Sequence, residues 1–286
     1  MLTPAALADV QANLKQTFQA ILNQGYAATQ GNRFDNAVAE CLEAGLRHTP
    51  GYACEGGARL RFKTVSAAEF SDRYPEHKAR CARQDFNFQD LIGPLTLPGG
   101  VPVKPQPDLL IVRQPNGSQN WPDLLVIANG IGLPIEVKSD KDSTITWNGG
   151  IPRPGRLYVF NSRAGHKPGI STGTTIFMGD AITDAEEVEA LLAHHEEQHE
   201  RSKAFNAKMA ARRAEKRKAE LAGNPAASER PFTDYYDRAM YRNNANYFRD
   251  PAVRRQREEE ALAFVEAYHA LPPPPAPVVQ PRRRLR

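Results

Sequence analysis

Three short apolar runs, each closed by a tight turn signal, constrain this chain more than any other feature. Asp108-Leu-Leu-Ile-Val-Arg113 is followed by Pro115-Asn-Gly-Ser118, and Asp123-Leu-Leu-Val-Ile-Ala128 by Asn129-Gly-Ile-Gly132. Leu133-Pro-Ile-Glu-Val-Lys138 comes directly after. Runs too short for helices, rich in branched side chains and joined by Asn/Gly turns, predict an antiparallel meander. Arg156-Leu-Tyr-Val-Phe-Asn161 predicts a fourth strand and Thr174-Thr-Ile-Phe-Met178 a fifth.

Helical spacing surrounds this block. Leu7, Val10, Leu14, Phe18, Ile21 and Leu22 fall on one face of a helix within residues 4–30. Phe34, Val38, Cys41, Leu42 and Leu46 do so between Arg33 and Leu46, a helix that also carries Asp35, Glu40 and Glu43. Residues 59–65 alternate like a strand, and Ala67 to Tyr74 has the form of a short helix. Thr183-Asp-Ala-Glu186 has the form of a capping box opening a long helix, which Gly223-Asn-Pro225 ends. Arg254 to His269 predicts a last helix, and Leu271 onward is a polyproline tail ending in Arg282-Arg-Arg-Leu-Arg, expected to be disordered. The expected class is α/β (α+β): a mixed central sheet containing an antiparallel meander, flanked by helices. Three parts are expected: a core over 1–180, a helical basic region over 181–270, and a tail over 271–286.

Charge is unevenly spread. Residues 201–286 carry 19 Lys/Arg against 10 Asp/Glu, whereas the first 200 carry 18 against 23. A basic region beside an acidic one suggests a surface for a polyanion. No stretch approaches the length of apolar residues that a bilayer requires, and the N-terminus lacks the basic and apolar regions of a signal peptide. Three cysteines (Cys41, Cys54, Cys81) without a C-x-x-C pair fit a reduced, cytoplasmic setting.

The chemistry concentrates in the meander. If the second hairpin turns near residues 130 and 131, Asp123 lies opposite Lys138 with Glu136 one same-face step away. Glu136 and Lys138 are two apart and share a face in any register. Charges set among Leu, Ile and Val cost free energy unless they pair or bind an ion. Two carboxylates and a backbone carbonyl suit a hard cation such as Mg²⁺. Such an ion would polarise a phosphodiester and lower the pKa of an attacking water, with Lys138 orienting or deprotonating that water or stabilising developing charge. A surface ion pair on an amphipathic hairpin would show the same Glu-x-Lys spacing.

Pro122-Asp123 … Glu136-x-Lys138 resembles the signature of the PD-(D/E)xK nuclease superfamily, and Gly117-Ser-Gln-x-x-Pro-Asp123 resembles its type II restriction endonucleases. Ser139 and the stretch Trp147-Asn148 … Pro152 … Tyr158-Val-Phe160 also match, so the likeness covers roughly residues 33–180. The resemblance implies a Mg²⁺-dependent, site-specific endonuclease acting on double-stranded DNA and leaving 5′-phosphate ends. Cutting both strands of a palindromic site implies a twofold homodimer. Asp123, Glu136 and Lys138 then take the catalytic roles, Asp123 and Glu136 the metal. A preceding helix supplies another acid in many members, for which Asp35 and Glu40 are the candidates. Pro107-Asp108 is a second Pro-Asp pair, so Asp108 competes with Asp123; the direct hairpin favours Asp123. Other readings are a repair or phage-type nuclease of the same superfamily and a non-catalytic DNA-binding protein.

Two further signals compete. His195-Glu-Glu-Gln-His199 fits the zinc peptidase pattern H-E-x-x-H, but it sits in a strongly acidic stretch, and only His269 offers a third ligand downstream. A solvated helix explains it. The segment 234–249 interleaves Tyr with Arg238, Arg242, Asn243 and Asn244, residue types that read base edges or phosphates. Asn148 and Arg153, in the loop after the third run, are candidates for the same contact.

Overall fold

The computed structural model describes residues 2–23, 31–47, 52–54, 56–57, 59–60, 62–73, 109–117, 121–128, 131–140, 144–148, 152, 154–162, 173–223, 240–244, 248 and 250–267. Helices α1 (Pro4–Asn23) and α2 (Gly31–Arg47) open the chain. Val10, Leu14, Phe18 and Ile21 of α1, and Phe34, Val38, Leu42 and Leu46 of α2, are all fully buried. They recur every three or four residues, the stripe a helix needs to cover a sheet. The short strands β1 (Tyr52–Ala53) and β2 (Arg59–Leu60) pair with each other, and β3 (Phe62–Val65) leads into α3 (Ala67–Arg73).

The expected meander forms from β4 (Leu109–Arg113), β5 (Leu124–Ala128) and β6 (Ile131–Asp140), all antiparallel. Its second hairpin turns one residue earlier than the sequence suggested. Leu124 faces Ile135 and Ala128 faces Ile131, so the ladder carries Asp123 opposite Glu136 rather than Lys138. The shift is two residues, and with a side-chain period of two it leaves every residue on its expected face.

Beyond the meander, β6 pairs in parallel with β8 (Leu157–Ser162), and β8 pairs antiparallel with β9 (Gly173–Met178). Strand β3 joins the far side parallel to β4. The result is a six-stranded mixed sheet in the order β3-β4-β5-β6-β8-β9, flanked by helices. Strand β7 (Thr144–Asn148) leaves this sheet and pairs antiparallel with β10 (Met240–Asn244).

The last helix, α5 (Pro251–Ala267), packs on α1 and β9, and its Ala261, Leu262 and Val265 belong to the same buried cluster as Val10 and Leu14. Within the Tyr-, Arg- and Asn-rich segment 234–249, the described residues Met240–Asn244 form a strand. Among the described residues, only α4 (Ala185–Gly223), 39 residues long, is polar nearly all round. Its cap also differs from the capping box: Asp184 Oδ1, not Thr183, accepts the Glu187 N–H at 2.8 Å. Among the described residues, no helix is long and apolar enough to cross a membrane.

Candidate active site on the meander

Alternation along β5 and β6 sorts their side chains into two sets. Leu124, Val126, Ala128, Leu133, Ile135 and Val137 join the cluster under α1, α2 and α5. Leu125 and Ile127 turn to the other face, and so by the same alternation do Asp123, Glu136 and Lys138. Neighbouring β8 lines this second face with Tyr158 and Phe160, which pack with Ile145, Trp147, Phe177 and Phe248.

The three charged groups converge there. Glu136 Oε1 lies 2.5 Å from Lys138 Nζ, and Asp123 Oδ2 accepts the Val137 N–H at 2.8 Å. Glu136 is only 9% exposed, and its second oxygen, Oε2, is buried with no hydrogen-bond partner among the described residues. A buried acceptor left unpaired is costly. Lys138 Nζ stands 5.7 Å from the centre of the Trp147 ring. That indole is fixed edge-on against Tyr158 at 5.1 Å, and its N–H donates to Asn243 Oδ1 at 2.6 Å.

Burial dominates the electrostatics. It raises Glu136 to about 7, against the pull of Lys138 and with help from Asp123. It raises Asp123 too, opposed by Lys138 and the Val137 N–H. Burial pulls Lys138 down, but Glu136 and Asp123 outweigh it and hold the ammonium above its usual range. Asp35, in the first turns of α2 where that helix packs on β6, is raised to about 7 by burial and by Asp123, with Lys138 opposing and Glu136 adding. The structure therefore brings Asp35 within electrostatic reach of the other three.

Glu40 is not at the site: it lies on an exposed face of α2, five residues on from Asp35. The other acid on that helix, Glu43, is held at 2.6 Å by Arg113 at the end of β4, whose second amino group donates to Asn36 Oδ1 at 3.2 Å. Asp108, Arg153, Arg238 and His269 lie outside the described residues. Arg242 is exposed on β10, and Asn148 and Asn244 occupy positions in the β7–β10 ladder. Asn243, half-buried on β10, accepts the Trp147 indole N–H on its Oδ1 at 2.6 Å. His195, Glu196 and His199 are all exposed on α4, where Glu197 pairs with Arg201.

Two features escaped sequence reasoning. One is the Arg113 clamp, which ties the start of the meander to the helix carrying Asp35. The other is Trp147 beside Lys138. A tryptophan nine residues past the lysine was a signal, but only the fold brings them together.

The donor set fits a hard divalent cation in part. Among the described residues no three His, Cys, Asp or Glu side chains cluster as a metal site. Asp123 and Glu136 nevertheless supply two carboxylates that burial makes reluctant to ionise, one with an unpartnered oxygen. Positive charge at that oxygen would relieve both conditions, and with protein backbone and water oxygens it would suit Mg²⁺. No family model matches the chain, and no curated protein or solved structure does either.

Proposed function

We propose that this chain is a Mg²⁺-dependent endonuclease of double-stranded DNA, acting at a specific short site in the manner of a type II restriction enzyme. The observation that carries the reading is the buried convergence of Asp123, Glu136 and Lys138, with Glu136 Oε2 left without a partner among the described residues. An ion pair serving only the surface would be solvated, whereas this one lies on the inner part of β6 with a neighbour on either side.

Asp123 and Glu136 would hold the ion, whose bound form supplies charge to a phosphate oxygen and acidity to a nearby water. Hydrolysis forms a bond from water oxygen to phosphorus and breaks the bond to the 3′-oxygen, leaving a 5′-phosphate and a 3′-hydroxyl. One water proton is lost to an acceptor, and the departing oxygen takes one from solvent. Lys138 is held as an ammonium, so it donates: it orients the attacking water and stabilises charge on the phosphorane. Asp35, whose carboxyl burial and the charge of Asp123 raise to about 7, would accept a proton near neutral pH. Cutting both strands would call for two copies of the chain related by a twofold axis.

Incubation with plasmid DNA tests the reading. Discrete fragments with Mg²⁺ and none with chelator are expected, and Lys138→Ala should abolish them. A smear would point to a repair or phage-type nuclease. A mobility shift without cutting would leave only DNA binding.

A further inference from the structure

The two-stranded ribbon of β7 and β10 stands outside the main sheet, and its register separates two faces. Tyr241 pairs with Trp147 and Asn243 with Ile145, while Met240 pairs with Asn148, Arg242 with Thr146 and Asn244 with Thr144. Directly opposed residues share a face, and successive residues alternate. Ile145 and Trp147 are buried, and Trp147 is bonded to Asn243, so these three face inward. By alternation Thr144, Thr146 and Arg242 face outward. Of these Arg242 is exposed, and Thr144 and Thr146 are half-buried.

Arg242 and Thr144 offer hydrogen-bonding groups on this outward face, and the Thr146 hydroxyl is engaged by Asp140. A two-stranded ribbon fits a major groove about 12 Å wide. Arginine offers a fork that matches O6 and N7 of guanine, and asparagine one that matches N6 and N7 of adenine. The ribbon is also tied to the charged cluster at two points. Thr146 donates its hydroxyl to Asp140 Oδ2 at 2.9 Å, two residues beyond Lys138 on β6. Trp147, one position along, packs against Lys138 itself. Movement of the outer face on a base pair would therefore be felt at the lysine.

We propose that the outward face of the β7–β10 ribbon is the sequence-reading surface, entering the major groove with Arg242 on a guanine edge. The proposal rests on the nuclease reading for its ligand, but it assigns a role which that reading leaves open.

Wild type, Arg242→Ala, Arg242→Lys and, as a basic-surface control, Arg255→Ala on α5 are each presented with a library of duplexes randomised around the cleavage site. Cut ends are sequenced, bound duplexes are recovered by gel shift in Ca²⁺, and circular dichroism checks the fold. Arg242→Ala is expected to weaken selection at one base pair of the site by about tenfold or more, with the other positions retained. Arg242→Lys should fall between, and Arg255→Ala should match wild type. A uniform loss across all sequences, with a shallower salt dependence, would make Arg242 a phosphate contact and overturn the proposal. Unchanged selection would overturn it as well. If folded wild type cuts nothing in Mg²⁺, the nuclease reading fails. The bound pool then decides the ribbon separately: selection that Arg242→Ala relaxes at one position sustains it, and binding without selection ends it.

Discussion

Replacing Glu136 by glutamine should inactivate the protein and, without metal, make it more stable. Burial raises the Glu136 carboxyl from its ordinary 4.5 to about 7. The folded chain thus keeps a proton that the unfolded chain releases between those values, and its stability falls as pH rises through that window. Each unit corresponds to 1.36 kcal/mol, so an ionised Glu136 costs about 3 kcal/mol above about pH 7. Glutamine keeps the shape and an oxygen for Lys138 Nζ to donate to, and it never ionises. At about pH 8 in chelator the variant should melt roughly 5 °C above wild type, at about 2 °C per kcal/mol for a chain of this size. At about pH 3 the two should coincide, because wild-type Glu136 is then protonated in both states. Millimolar Mg²⁺ should raise the wild-type melting temperature and leave that of the variant nearly unchanged. Thermal melts followed by circular dichroism at both pH values, with and without Mg²⁺, read all four quantities. A variant no more stable than wild type at about pH 8 in chelator would show that Lys138 fully compensates the buried carboxylate, and would refute the reasoning.

Three further outcomes are expected. Asp123→Ala should abolish DNA cleavage while Glu40→Ala and His195→Ala leave it intact, because only Asp123 shares the buried face with Lys138; retained activity in Asp123→Ala would transfer the metal role elsewhere. Mg²⁺ affinity measured by calorimetry should rise between about pH 6 and about pH 8, as Asp35 and Glu136 lose their protons near 7, and Asp35→Asn should flatten that rise; affinity independent of pH would contradict the assigned ligands. Arg113→Ala should lower stability by about 1–3 kcal/mol in urea, since it leaves Glu43 half-buried without its 2.6 Å partner, and cleavage should fall as α2 loosens over the site.

The strands of the main sheet were legible because each is an apolar run between turn residues, and burial on both faces makes such runs nearly continuous. The convergence of Asp123, Glu136 and Lys138 was legible for a different reason: parity survives a register error of two. The parallel pairing of β6 with β8 was not, since nothing in a strand's own residues names a partner reached by crossover. Strand β10 was hidden because Tyr, Arg and Asn at mixed spacing fit a helix or a half-buried strand equally well, and only pairing with β7 decides it. Asp35 and Glu40 looked equivalent in the sequence. Five residues along a helix place them on different faces, and which face meets β6 is settled by the packing of Phe34, Val38 and Leu42.

Strand β6 is hydrogen-bonded along both edges, whereas β7 and β10 pair only with each other. The consequence is evolutionary. A substitution on β6 must satisfy β5, β8 and the buried charges together, so that strand tolerates little drift. Thr146 is held to β6 by its bond to Asp140, whereas the exposed Arg242 pairs across the ribbon and can change without disturbing that strand. Descendants of such a chain would keep Glu136, Lys138 and Thr146 while Arg242 diverged.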